Sequence, residues 1–173
     1  MMAPAGGPVR AGTGYDIHRL VPGRALVLGG VVVPHEQGLL SHSDGDALTH
    51  AVIDALFGAC GLPDIGQHFS PRDPRWRDAR SIGLLEIATR LAAAAGWSPH
   101  SVDSTVVCER PRLAPYVDAM RANLAQALGV PHTVVNVKAK TNEGLDAIGR
   151  GEAIAAHVIL LVSPLEPAVA GRT

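Results

Sequence analysis

The 173 residues carry 15 Lys and Arg against 16 Asp and Glu, for a net charge of −1, and 47% are hydrophobic. This length fits one domain of roughly 100–200 residues, and the apolar content excludes a disordered chain. A near-neutral chain is a poor bulk electrostatic binder of nucleic acid, and aromatics at 3% are too few for a base-stacking platform.

Residues 1–8 are rich in Gly, Pro and Ala and lack the apolar core of a signal peptide, so they read as a disordered leader. Residues 9–163 read as a single catalytic domain, with 164–173 as a tail. A strand is expected over 9–17, and a second over 25–33, interrupted at Gly29-Gly30 by a bulge or turn. Residues 34–45 read as a loop. Over 47–60, Leu48, Val52, Ala55, Leu56 and Ala59 recur at helical spacing, with Asp44 or Asp46 as cap and Gly61 as stop. Residues 64–78 form a Pro- and Arg-rich loop, long enough to be functional. A helix follows over 81–95 with Ser81 at its cap. Then come a strand over 101–108, a helix marked by Leu113, Val117, Met120, Leu124 and Leu128, and a strand over 133–139. A polar loop over 141–151 leads into a last strand, 153–162, in which Ile154, Val158, Leu160 and Val162 share one face.

This order predicts an α+β (mixed α/β) fold, a mostly four-stranded mixed sheet with its helices on one face. It is not the strict alternation of a doubly wound parallel sheet, and no GxGxxG or GxxxxGK[ST] loop is present. Cys60 and Cys108 are too few for a disulfide framework and read as small buried hydrophobes. No segment approaches the ~20 apolar residues that span a bilayer, so a cytoplasmic protein without membrane or nucleic-acid partners is expected.

Five groups of residues are candidates for chemistry. Asp16 and His18, two apart on a strand, point to one face and suit a divalent metal, although an Asp-x-His on a strand is more often a solvated pair. His42, Ser43, Asp44, Asp46 and His50 surround a helix start, where free N–H groups favour anions. Capping alone accounts for Asp44 and Asp46 but not for His42 and His50. Asp16, His18 and His50 together would make three ligands and leave a fourth tetrahedral position open, the pattern of a catalytic zinc. Lys138, Lys140, Thr141, Asn142 and Glu143 close a strand: Lys and Thr donate to phosphate, and Glu suits a hard cation. The bland reading of that segment is a polar turn. Arg110 and Arg112 flank Pro111 in a rigid basic corner, and Arg150 stands beside Glu152 at a tight turn.

In order and spacing, Gly14-Tyr15-Asp16-Ile17-His18, Gly29-Gly30-Val31, Ser41 to Asp46 with His50, Asp64-Ile65-Gly66 with Phe69, Asn136 to Ala139 with Glu143, and Gly149-Arg150-Gly151-Glu152 resemble the 2-C-methyl-D-erythritol 2,4-cyclodiphosphate synthase family. The resemblance implies a cyclising, CMP-releasing phosphorus–oxygen lyase of the non-mevalonate isoprenoid pathway. Its substrate would be 4-diphosphocytidyl-2-C-methyl-D-erythritol 2-phosphate. It further implies a homotrimer with active sites between subunits, Zn²⁺, and a second cation, Mg²⁺ or Mn²⁺. By motif position, Asp16, His18 and His50 would be the zinc ligands and Glu143 the second-metal ligand. His42 and Thr141 would stabilise the transition state. Ile17 and Ser43 would lie against substrate, Asp64, Ile65 and Gly66 against the methylerythritol hydroxyls, and Phe69 through Asp73 in a closing loop. The segment from Cys108 through Ala114, with Cys108, Arg112, Leu113 and Ala114 foremost, would line the cytidine site, with Lys140 and Asn142 near substrate. Ala147 and Arg150 fall where the family lines a central trimer cavity, and Ala147 replaces an aromatic there. The closing loop reads Phe-Ser-Pro-Arg-Asp-Pro rather than the family's Phe-Pro-Asp-Thr-Asp-Pro. Two other functions use the same residues: hydrolysis of a phosphodiester by a metal-bound water, and a non-enzymatic trimer that binds metal or an isoprenoid phosphate.

Overall fold

The computed structural model describes residues 8–165; most of the expected leader and tail lie outside them. The first strand, β1 (Arg10–Pro22), carries Gly12 and Gly14 on the face that meets the first helix, α1 (Ala47–Cys60). A Cβ on Gly12 would lie 1.9 Å from the Ala55 carbonyl oxygen, and one on Gly14 would lie 1.9 Å from that of Ala51. Helix and strand therefore touch backbone to backbone, an approach open only to glycine.

Two short strands, β2 (Leu26–Leu28) and β3 (Val31–Val33), form a hairpin whose turn, Gly29-Gly30, has φ of 56° and 70°. Positive φ at both turn positions is the type I′ requirement, which glycine meets without strain. Another short strand, β4 (Gln37–Leu39), pairs antiparallel with the end of β1. After α1 comes a single turn, α2 (Ile65–His68), then a 3₁₀ turn at Pro74–Trp76 and α3 (Ser81–Ala94). The chain continues through β5 (Trp97–Val107), α4 (Val117–Leu128), β6 (Val135–Lys140), the single turn α5 (Asp146–Gly149) and β7 (Ala153–Pro164).

The main sheet has the order β4-β1-β7-β5-β6. It is thus five-stranded, not four-stranded as the sequence suggested, and the hairpin β2–β3 stands apart. The extra strand is three residues long and lies in the expected 34–45 loop, too short to show a period. Among the described residues only β5 and β6 pair in parallel, and α4 lies in the crossover between them. Helices α1, α3 and α4 cover one sheet face, as expected, but Ile148 of α5 packs on the opposite face against Ala153, Ala155 and Val107.

The core lies between sheet and helices. Ile154, Ala156, Val158, Leu160 and Val162 of β7 point into it, and α1 runs through its centre, buried on nearly every side. Fully buried Leu56, Phe57 and Ile53 each contribute about 1.5–3 kcal/mol. The other sheet face leaves Tyr15, Ile17 and Ile159 exposed at 51%, 41% and 53%.

Gly14→Ala is expected to lift α1 off β1 and to cost about 1–3 kcal/mol in urea unfolding. A wild-type midpoint would show that α1 does not depend on the backbone contact.

Candidate metal centre and adjoining cleft

Period two places Asp16 and His18 on the same face of β1 as Gly12 and Gly14, with Ile17 on the other face. Beyond the glycines the strand passes the start of α1, where His50 occupies the first turn. His50 Nδ1 lies 2.9 Å from Asp16 Oδ2 and 3.1 Å from His18 Nε2, and His18 Nε2 lies 2.9 Å from Asp16 Oδ2. The three ligand atoms thus form a near-equilateral triangle.

Asp46, fully buried, is the N-cap of α1. Its carboxylate accepts from Thr49 N (2.9 Å) and Thr49 Oγ1 (2.7 Å), and from the hairpin amides of Gly29 (2.8 Å) and Gly30 (2.7 Å). Arg24 Nη2 donates to the Ser43 carbonyl at 2.6 Å. On the far side of His50, Nε2 lies 3.0 Å from Ser43 Oγ and 2.8 Å from Ser81 Oγ. Ser81 is not the expected cap: Arg80 takes that position without a side-chain bond, and Ser81 N and Oγ both donate to Asp44.

The donor set suits a metal. Two imidazole nitrogens and one carboxylate oxygen are zinc-type ligands, and tetrahedral bonds of ~2.0 Å place ligand atoms about 3.3 Å apart. The observed triangle needs to open by only a few tenths of an ångström. The three groups also polarise one another. Burial pushes the Asp16 carboxyl up, but hydrogen bonds and charge from His18 and His50 outweigh it and hold Asp16 well below the carboxylate range. Burial likewise opposes charge on His50, yet Asp16, with Asp46 and Asp44 behind it, holds His50 above the usual imidazole value.

A pocket of about 370 Å³ opens on the triangle, lined also by His42, Ser43, Ile65, Gly66, Phe69, Pro71 and Trp76. Phe69 is buried, edge-on to Trp76 with ring centroids 5.2 Å apart. His42 Nε2 is buried and has no hydrogen-bond partner among the described residues. Asp64 caps α2 through Gln67 N at 3.0 Å, and Asp73 pairs with Arg75 Nη2 at 2.6 Å. Trp76 had no sequence signal, since an irregular loop has no period to read; Pro71 fell within the expected closing loop, and Ser81 signalled only a helix cap.

A second, larger cleft, about 1220 Å³, is lined by Cys108, Glu109, Arg112, Leu113, Ala114, Lys140 and Thr141, and by Pro34, His35 and Glu36, which the sequence did not single out. The Cys108 thiol, buried and donating to the Arg110 carbonyl at 2.9 Å, is pushed up to about 12 by burial and stays protonated. Thr141 Oγ1 donates to Glu143 Oε1 at 3.1 Å, and Asn142 N donates to Glu109 Oε2 at 3.1 Å. Arg150 Nε pairs with Glu152 Oε1 at 2.7 Å on the surface, and Ala147 is half-buried in α5. Neither pocket of this chain contains both the metal triangle and Thr141. Among the described residues no helix is long and apolar enough to cross a membrane.

An Asp–His–His cluster at a helix mouth, on the edge of a mixed sheet with helices on one face, is the class of centre this molecule presents. Within that class, the chain belongs to the YgbB family, whose model matches residues 9–163. It is 57% identical over 153 residues to a Burkholderia thailandensis protein named 2-C-methyl-D-erythritol 2,4-cyclodiphosphate synthase, covering 88% of this chain and 94% of that one. A CDP-bound structure of 2C-methyl-D-erythritol-2,4-cyclodiphosphate synthase matches with a TM-score of 0.81 and 40% identity, over 88% of this chain and 99% of that one. The bifunctional IspDF from Campylobacter jejuni matches with a TM-score of 0.88 and 34% identity, over 92% of this chain but only 43% of that longer chain.

The Asp16–His50 pair makes metal-free stability depend on pH. A depressed Asp stabilises above its unfolded value, about 4, and loses that contribution as pH falls toward the folded value. A raised His stabilises below its unfolded value, about 6.5, and loses that contribution as pH rises through the folded value. In chelator, the gap in urea midpoint between wild type and Asp16→Asn should be widest between about pH 4 and 6.5 and should narrow above it. A gap that is flat with pH would mean that the pair is not ionised in the folded protein.

Proposed function

We propose that this protein converts 4-diphosphocytidyl-2-C-methyl-D-erythritol 2-phosphate into the 2,4-cyclodiphosphate with release of CMP, acting as a metal-dependent phosphorus–oxygen lyase of the cytoplasm. The observation that carries this reading is the Asp16–His18–His50 triangle in a chain 57% identical to a synthase of that name. In the reaction an oxygen of the 2-phosphate attacks the β-phosphorus, and the bond from that phosphorus to the bridging oxygen of CMP breaks. The nucleophile is already ionised near neutral pH, so the obstacle is anion attacking anion, which positioned positive charge and donors relieve. Asp16, His18 and His50 would hold a zinc ion, which would supply such charge when bound, and Glu143 would hold a second cation, Mg²⁺ or Mn²⁺. The unpartnered His42 Nε2 in the pocket is suited to donate to a phosphate oxygen. Ile65, Gly66 and Phe69 would hold the methylerythritol end, with Asp64 and Asp73 fixing the loop around it. The larger cleft, from Cys108 to Ala114, would take the cytidine, with Lys140 and Asn142 beside it.

Two observations support a homotrimer with active sites between subunits. The metal pocket and the cleft holding Thr141 are separate depressions in one chain, so each lacks half of the chemistry. The sheet face bearing Tyr15, Ile17 and Ile159 leaves these large apolar side chains exposed beside the Lys138–Asp103 ion pair, a mixed face that self-association would bury. Ile17 would then act at an interface, and Arg150 and Ala147 near the trimer axis.

Phosphorus NMR on purified protein with Zn²⁺, Mg²⁺ and the cytidyl substrate should show CMP and a cyclic diphosphate carrying no oxygen from ¹⁸O water. A linear product labelled from water would establish hydrolysis instead. A monomer in sedimentation would overturn the shared site.

His50→Ala should abolish turnover and zinc binding together, because one of three ligands is lost. Thr141→Val should lower kcat by about 10²-fold with less effect on KM, in line with loss of a donor that matters most in the transition state. Unchanged turnover per folded molecule would reduce Thr141 to a turn residue. Glu143→Gln should lose activity that added Mn²⁺ partly restores.

A further inference from the structure

We infer that Ser81 and Asp44 form a positioning relay that fixes His50 as the Nε2–H tautomer and so presents its Nδ1 lone pair to the metal. The inference rests on the metal reading of the Asp16–His18–His50 triangle and assigns work to two residues outside it.

The argument is a count of protons. Ser81 is fully buried at the start of α3, and its hydroxyl has a single hydrogen. That hydrogen goes to Asp44 Oδ1, while the Ser81 backbone N–H donates to Asp44 Oδ2 at 2.9 Å. A carboxylate only accepts, so the Ser81 hydroxyl is left with lone pairs to offer His50. His50 Nε2, 2.8 Å from Ser81 Oγ, must then be the donor. Ser43 Oγ, 3.0 Å from the same nitrogen, is a second acceptor for that N–H. With Nε2 protonated, the neutral ring carries its lone pair on Nδ1, the atom that faces Asp16 and His18.

The relay is itself held in place. Asp44 N donates to the Ala79 carbonyl at 3.1 Å, and Asp78 N donates to the His42 carbonyl at 2.9 Å, so residues 78–81 are laced across residues 42–44. Without Asp44 the Ser81 hydroxyl is free to donate to Nε2. That would favour the Nδ1–H form, in which the metal-facing nitrogen carries a hydrogen instead of a lone pair. Outer partners of this kind, which orient a ligating imidazole, typically change metal affinity by about 10–100-fold. Neither Ser81 nor Asp44 lines the triangle; both act through His50.

Zinc affinity is read by chelator competition on wild type, Ser81→Ala, Asp44→Asn and the double variant, with urea midpoints reporting folding. The His50 tautomer is read by long-range ¹H–¹⁵N spectra of histidine-labelled protein. The expected result is a loss of about 10–100-fold in zinc affinity for each single variant. The double variant should be little worse than either, and the Nε2–H signal should weaken in Asp44→Asn. Wild-type affinity in folded Ser81→Ala, or a loss there that Asp44→Asn does not share, overturns the relay. If Ser81→Ala fails to fold, Asp44→Asn decides alone: unchanged affinity and tautomer overturn the relay. If wild type itself takes up no zinc, or His50→Ala retains it, the metal reading fails first.

Discussion

The structure depends on one contact: α1 lying directly on β1 at Gly12 and Gly14. Two missing side chains let helix and strand backbones meet, and the rest follows from that distance. The buried helix fills the space between the sheet and α3 with small and aliphatic residues. Because α1 runs back along β1, Ala55 sits over Gly12 and Ala51 over Gly14. His50 then falls over the next residues of the same face, Asp16 and His18. The glycines that build the core thereby set the ligand triangle.

The start of α1 serves three structural tasks through neighbouring residues. Asp46 satisfies helix amides and also ties down the Gly29-Gly30 turn, which joins the hairpin to the core by a buried, fully used carboxylate. Asp44 looks the other way, to Ser81, and joins α3 to the same point. His50 occupies the space between them. A helix mouth built like this resists rearrangement, which suits the close grouping of Asp16, His18 and His50 as a candidate metal site.

Much of the site was legible in the sequence. Asp16 and His18 share a strand face by period, and α1 begins and ends where its spacing and Gly61 indicate, with Asp46 taking the cap that the sequence left open between Asp44 and Asp46. The family resemblance then gathered segments far apart in the chain. At Gly29-Gly30 the sequence showed an interruption, a bulge or a turn within one expected strand, and the structure makes it the turn of a hairpin. The single turns α2 and α5 and the strand β4 were not, since three or four residues complete no period. Ser81 looked like a cap because serine before an apolar run usually is one. Its actual partners, Asp44 and His50, are 37 and 31 residues away, and no local pattern encodes them.

The sequence by itself therefore determined the elements with a period, the shared face of Asp16 and His18, and the family. Those rest on interactions between residues near one another in the chain, or on motifs whose order is preserved. Tertiary structure decided what depends on distance across the fold: that three ligand atoms lie within about 3 Å of one another, and that Asp46 pins the hairpin. It also decided that the metal pocket and the Thr141 cleft are separate in one chain. The physical reason is that packing, not local preference, sets the separation of β1 from α1 and of α3 from both.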